Sequence, residues 1–149
     1  MEYFAHSQKA FLYKYVVMLS DIDQFKHMSF ANYLKLMFLA ADALFIGVLD
    51  NAFLQKWHIR LETSRMQFKR QTVFGDNILI KVNSSDVGDS GFSLLFTFVI
   101  EGSGELIGLG KQRYCFYDLR NMTITHMSGE IRGTLEPIKV NEPNLLYKY

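Results

Sequence analysis

Residues 30–50 read FANYLKLMFLAADALFIGVLD. Tyr33, Met37, Ala40, Ala41, Leu44 and Val48 recur at three- and four-residue spacings, the period of one helical face. Leu36, Phe38, Leu39, Phe45 and Ile46 widen that stripe. The stretch is therefore expected to form one long helix, apolar on most sides and buried. Lys35 and Asp42 interrupt the run, and its apolar part, residues 34–49, is too short to cross a bilayer. Ser29 stands where an N-cap would, able to accept a hydrogen bond from a free backbone N–H of the first turn.

Strand signals surround this helix. Residues 11–19, FLYKYVVML, are rich in the aromatic and β-branched side chains that suit a pleated strand. Further strands are expected over residues 57–70, 78–82, 92–100 and 106–118. Turns are marked by Phe74-Gly75-Asp76-Asn77, by Gly88 to Gly91 and by Gly102-Ser103-Gly104. Connections that short forbid the crossovers of a parallel sheet. A short strand or helical turn is expected near the C-terminus. The fold class is thus α+β, a curved antiparallel sheet wrapped around one long central helix. The two prolines, Pro137 and Pro143, both come late, and no linker or repeat divides the chain. Residues 1–149 read as one domain, with residues 1–10 as a loose arm.

Composition narrows the function classes. A 149-residue chain with 49% hydrophobic and 21% charged residues suits a globular domain with a sizeable core. A net charge of +1 gives no general attraction to nucleic acid or to an anionic membrane. The single cysteine, Cys115, excludes an intrachain disulfide and a cysteine-built metal site. The start of the chain carries no secretory leader pattern, and the expected setting is cytoplasmic. The aromatic and methionine content, 13 Phe, 8 Tyr and 7 Met, fits either an aromatic core or an adaptable apolar pocket. Gly102-x-Gly104 precedes a strand rather than a helix, so it is no nucleotide-binding loop. No His/Asp/Glu cluster has metal-ligand spacing.

Chemistry concentrates in the segment before the helix, Asp21-Ile22-Asp23-Gln24-Phe25-Lys26-His27-Met28-Ser29-Phe30. A helix N-terminus offers unpaired N–H groups and a partial positive charge, where a developing oxyanion can be held. A carboxylate a few residues earlier can act on the same point, as general base or as nucleophile. Acyl transfer needs these two parts together. His27 is a candidate acid/base group or substrate contact, and equally a hydrogen-bonded loop histidine.

Asp21-x-Asp23, His27, Asn32 and Tyr33 resemble the D-x-D-x-x-G-H-V-x-x-x-x-Y signature of the 4-hydroxybenzoyl-CoA thioesterase branch of the hotdog superfamily. Phe68-Lys69-Arg70-Gln71-Thr72-Val73-Phe74-Gly75-Asp76 is similar to that family's Y-x-R-P-V-x-x-G-D stretch, and the resemblance covers residues 11–120. It implies a hotdog fold, a homo-oligomer (dimer or tetramer) with active sites between subunits, and hydrolysis of acyl-CoA or acyl-carrier-protein thioesters. It implies neither metal nor organic cofactor. The family's catalytic carboxylate falls on Asp23 and its oxyanion-holding amide near Phe30. Two positions depart from the pattern: Lys26 stands where the signature has glycine, and Gln71 where the second motif has proline.

On this reading Asp23, His27 and the Phe30 amide form the catalytic set, while Asp21 stabilises the loop. The acyl chain, fatty or polyketide, is expected along the helix among Tyr33, Met37, Phe38, Phe68 and Phe92. Lys69 and Arg70, with Arg65, Lys111 and Arg113 as further cations, are candidates to meet phosphates of CoA or an acidic carrier. His58 and Glu62 fall on one face of the strand after the helix. Asp42 matches the helix carboxylate of a related hotdog branch, but lies far along the helix. His6 and His126 have no evident partners. Two other readings are a hotdog module that binds acyl carriers without turnover, and a hydratase or dehydratase. The second needs a carboxylate and histidine in a spacing that Asp23 and His27 do not have.

Overall fold

The computed structural model describes residues 9–141. Strands β1 (Phe11–Val16), β2 (Trp57–Phe68), β3 (Asn77–Ser85), β4 (Gly91–Ile100) and β5 (Leu106–Asp118) form one antiparallel sheet in the order β1-β3-β4-β5-β2. A short β6 (Thr123–Ile124) pairs with the end of β5. Helix α1 (Phe30–Phe45) packs on the concave face, followed by α2 (Asn51–Lys56) and, near the C-terminus, α3 (Gly129–Leu135). The expected loose arm falls almost wholly outside the described residues, as do His6 and Pro143.

Two expectations about connectivity are corrected. The helix stops at Phe45 instead of running to residue 50. The amides of Val48 and Leu49 both bond the Phe45 carbonyl, at 2.9 and 3.0 Å, which closes the chain into a turn around Gly47. Asp50 then caps α2 by accepting from the Phe53 amide at 2.8 Å. The Gly75 turn does exist, but it does not join hairpin partners. β2 lies at one edge beside β5, whereas β3 lies between β1 and β4. The turn is instead tied to the end of β1 through Val17 N–H to Asp76 O and Gly75 N–H to Val17 O.

Period-two alternation on β4 explains the two-sided core. Phe92, Leu94, Phe96 and Phe98 belong to the cluster under α1, while Leu95 and Val99 pack on the opposite face with Val140. Helix α1 is buried on one face rather than on most sides. Tyr33, Leu36, Met37, Ala40, Ala41 and Phe45 are buried, while Phe30, Leu34 and Phe38 reach the surface. The approach of helix to sheet is close: a Cβ at Gly110 of β5 would lie 2.5 Å from the Met37 sulfur.

The loop between β1 and α1 is fixed by Asp21, which is buried. Its carboxylate accepts from the Tyr15 hydroxyl at 2.6 Å and the Met18 amide at 2.8 Å. Its carbonyl accepts from the Ser29 amide at 3.2 Å and the Asn32 side chain at 3.0 Å. Residues 23–27 then fold back on themselves through Lys26 N–H to Asp23 O, 3.0 Å, and Asp23 N–H to His27 O, 3.1 Å. Closing that turn requires a left-handed residue, and Lys26 takes the role at φ 66°. A side chain in that region costs about 1–2 kcal/mol, which glycine avoids. Lys26 thus follows the path open to glycine, at an energetic cost.

Two outcomes are expected. Lys26→Gly should raise stability by up to about 1 kcal/mol in chemical denaturation, part of the relieved strain being offset by the freer unfolded chain. Burial first, and then the hydrogen bond to Asp21, push the Tyr15 hydroxyl from 10.0 up to about 12. Because the folded value is the higher one, this contribution to stability is intact below pH 10 and is lost as pH rises towards 12. Tyr15→Phe should therefore show a shallower fall in stability across that window, as measured by denaturant midpoints at successive pH values.

Candidate active site

The ends of α1 and β2 and the loop between β1 and α1 enclose a cavity of about 350 Å³. Its walls are mainly apolar, with Phe25, Met28, Phe30, Tyr33 and Phe68 among them. Phe68 stands edge-on to both Phe30 and Tyr33, with ring centroids 4.6 and 4.9 Å apart. The Tyr33 hydroxyl and the Thr72 hydroxyl are 2.7 Å apart, and the Met28 amide bonds the Thr72 carbonyl at 3.0 Å. Thr72 therefore clamps the loop and the helix to the chain that leaves β2. Burial raises the Tyr33 hydroxyl above its ordinary range despite these bonds, so it stays a neutral donor and acceptor.

Asp23, His27, Arg70 and Gln71 supply the polar part of this lining. The Asp23 side chain is exposed, and one of its oxygens accepts from the Phe25 amide at 2.8 Å, which orients the carboxylate. His27 is half-buried, and its imidazole has no hydrogen-bond partner among the described residues. Arg70 is held by Glu105 at 2.6 Å and lies 3.9 Å from Asp76, with its Nε–H donating to the Gln71 carbonyl. Its guanidinium is therefore held in a fixed position on the wall, its charge balanced by these carboxylates.

At the start of α1, Ser29 occupies the N-cap position with extended backbone, but its side chain makes no capping bond. That differs from the expected role of Ser29. The backbone accounts for the Asn32 amide, which bonds the Ser29 carbonyl at 3.1 Å, and leaves the Phe30 amide without a partner among the described residues. An uncapped helix N-terminus beside an oriented carboxylate and an apolar wall can bind a carbonyl oxygen and present it to a base or nucleophile.

Six of the residues singled out in the sequence, Asp23, His27, Phe30, Tyr33, Phe68 and Arg70, thus border one cavity. The others lie elsewhere. Met37 and Phe92 line neither cavity that borders α1 and are buried in the core, Met37 against Gly110 and Phe92 stacked on Tyr114 at 5.3 Å. Lys69 is exposed and lines neither cavity that borders α1. Lys111 pairs with Asp86 at 3.7 Å, and Arg113 donates to the Asp86 carbonyl, so both serve the turn after β3. Phe38 lines a second cavity, nearer the far end of α1, together with Asp42 and His58. Phe25, Met28 and Gln71 were not anticipated in the lining. Phe25 carried a legible signal, an aromatic residue set in the polar loop between Asp23 and His27.

Comparisons with known proteins bear on the family and the fold. Residues 17–135 match the model of the Thioesterase-like superfamily. No curated protein matches the chain. Among solved structures, a 1,4-dihydroxy-2-naphthoyl-CoA thioesterase from Synechocystis is 14% identical, with a TM-score of 0.78 over 85% of this chain and 96% of that one. The dynemicin thioesterase is 15% identical, with a TM-score of 0.81 over 89% of this chain and 99% of its own. A Staphylococcus aureus protein solved in complex with CoA is 14% identical, with a TM-score of 0.80 over 91% of this chain and 87% of that one. At such identities the structures speak to the fold, and the family match speaks to the chemistry. The chain belongs to the Thioesterase-like superfamily, has the hotdog fold, and is an enzyme of the acyl-thioester-hydrolysing class.

Proposed function

We propose that the chain hydrolyses acyl-CoA thioesters with Asp23 as the central carboxylate. The observation that carries this reading is the shared cavity of Asp23 and the uncapped start of α1. The thioester carbonyl sits against the Phe30 amide, which stabilises the oxyanion, and Asp23 activates water or attacks the carbonyl carbon. His27 lies beside it as a second polar contact. The acyl group enters against Tyr33 and Phe68, and the Arg70 guanidinium, steadied by Glu105, offers N–H donors on the same wall. The CoA-bound relative supports CoA as the carrier, with an acyl carrier protein as the other candidate.

The active form is a homo-oligomer. Among the described residues strand β2, of 12 residues, has only β5 as a partner, so its other edge offers unpaired backbone groups beside both cavities. A second copy on that edge satisfies them. The one cysteine, buried Cys115, fits a reducing cytoplasm.

Asp23→Asn keeps the size of the side chain and its bond to the Phe25 amide while removing the charge. Turnover on the best acyl-CoA should fall by about 10²–10⁴-fold. Binding of substrate should change little, because the loss is confined to the transition state. Asp21→Asn is the control. It disturbs the Tyr15 and Met18 bonds and should lower stability more than the rate of the folded enzyme. Steady-state kinetics beside thermal melts of both variants reads this out, and near-normal turnover in Asp23→Asn would remove the mechanism.

A further inference from the structure

Thr72 follows the end of β2, is fully buried, and lines neither cavity that borders α1. It nevertheless bonds the chain on both sides of Phe30. Before Phe30, the Met28 amide donates to the Thr72 carbonyl at 3.0 Å. After it, the Tyr33 hydroxyl stands 2.7 Å from the Thr72 hydroxyl. Tyr33 is itself buried, its ring edge-on to Phe68 and Phe98 with centroids 4.9 and 5.8 Å away. Those contacts keep the ring from sliding, so Tyr33 is a rigid strut from the first turn of α1 to Thr72. Thr72 stands on firm ground in turn. The Lys69 and Arg70 amides before it both bond the Ile107 carbonyl of β5, at 2.8 and 3.1 Å, and the Val73 amide after it bonds the Asp76 carboxylate at 2.9 Å.

We infer that Thr72 is a positioning residue for the oxyanion site: through Met28 and Tyr33 it fixes where the Phe30 amide points, without touching the substrate. The inference rests on the thioesterase reading above and adds a residue outside the cavity on which the rate depends. The Met28 and Ser29 amides are turned to the scaffold, to the Thr72 and Asp21 carbonyls, and the next amide along the chain is the one left for an oxyanion. Such a donor works only if it lies about 2.7–3.1 Å from the place the oxyanion will occupy. That bond is made chiefly in the transition state, so a first turn of α1 that drifts lowers kcat and leaves KM almost unchanged. A role in stability alone has a different signature, a lower melting temperature with the kcat of the folded enzyme intact.

The test measures kcat and KM of the full chain on the best of a panel of acyl-CoAs, for wild type, Thr72→Val, Thr72→Ser, Tyr33→Phe and the Thr72→Val/Tyr33→Phe double variant. Thr72→Val keeps the branched shape and the backbone bond to Met28 but removes the hydroxyl. Its kcat should fall by about 10–100-fold, the scale of a misplacement of up to about 1 Å, with KM within about threefold of wild type. Thr72→Ser, which restores the hydroxyl, should recover most of the loss. Tyr33→Phe keeps the ring and should reproduce the loss, and the double variant should lose no more than the worse single one, because both changes remove the same bond. Wild-type kcat in folded Thr72→Val would overturn the inference, as would no recovery in Thr72→Ser or losses that add in the double variant. If Thr72→Val does not fold, Tyr33→Phe with wild-type kcat overturns it alone. If the wild type cleaves no acyl-CoA, the thioesterase reading fails, and hydrogen exchange tests the positioning by itself. The amides of residues 28–33 should then exchange faster in Thr72→Val than in wild type and Thr72→Ser, and equal exchange overturns it.

Discussion

Helix and sheet meet where β5 has no side chain. A Cβ at Gly110 would lie 2.5 Å from the Met37 sulfur, and one at Gly108 would lie 2.6 Å from the Met66 methyl and 2.7 Å from the Gln67 carbonyl. Glycine at these two positions lets the strand approach its neighbours closely. Met37 settles into the notch and is almost fully buried. Because α1 is seated there, its first turn reaches one end of the seam with β2 and its later turns reach the other. The positions of both cavities follow from that contact.

The second constraint is the loop that delivers Asp23. A buried Asp21 gathers β1, the following turn and α1 through its carboxylate and carbonyl, and Thr72 joins loop and helix to the segment after β2. These bonds leave the Asp23 side chain exposed but oriented, a short distance in sequence from an uncapped helix start. The strained Lys26 belongs to the same arrangement. It holds a left-handed conformation that glycine would adopt freely, and the loop still closes around it.

Much of this was legible in the sequence, for identifiable physical reasons. Strand 106–118 was read with its observed bounds because the Gly102-Ser103-Gly104 turn marks its start and the turn-forming residues from Asp118 to Asn121 mark its end. The loop from Asp21 to Phe30 was legible because its polar residues stand between a strand pattern and a helix pattern. The end of α1 was not. The apolar run continues past Phe45, and only Gly47 and the capping Asp50 signal the break. The pairing of β2 with β5 was also hidden, since a turn such as that at Gly75 records a change of direction and not the partner of either strand. Helical periodicity placed Met37 on the sheet-facing side but could not tell a core contact from a pocket wall. That depended on Gly110, far away in sequence.

The most direct measurement of the mechanism is a structure of the chain with a decanoyl-CoA analogue in which methylene replaces the thioester sulfur. The account predicts the carbonyl oxygen of the analogue within hydrogen-bond distance of the Phe30 amide, with the Asp23 carboxylate facing the carbonyl carbon or a water beside it. A carbonyl bound away from the start of α1, with Asp23 out of reach, would contradict it.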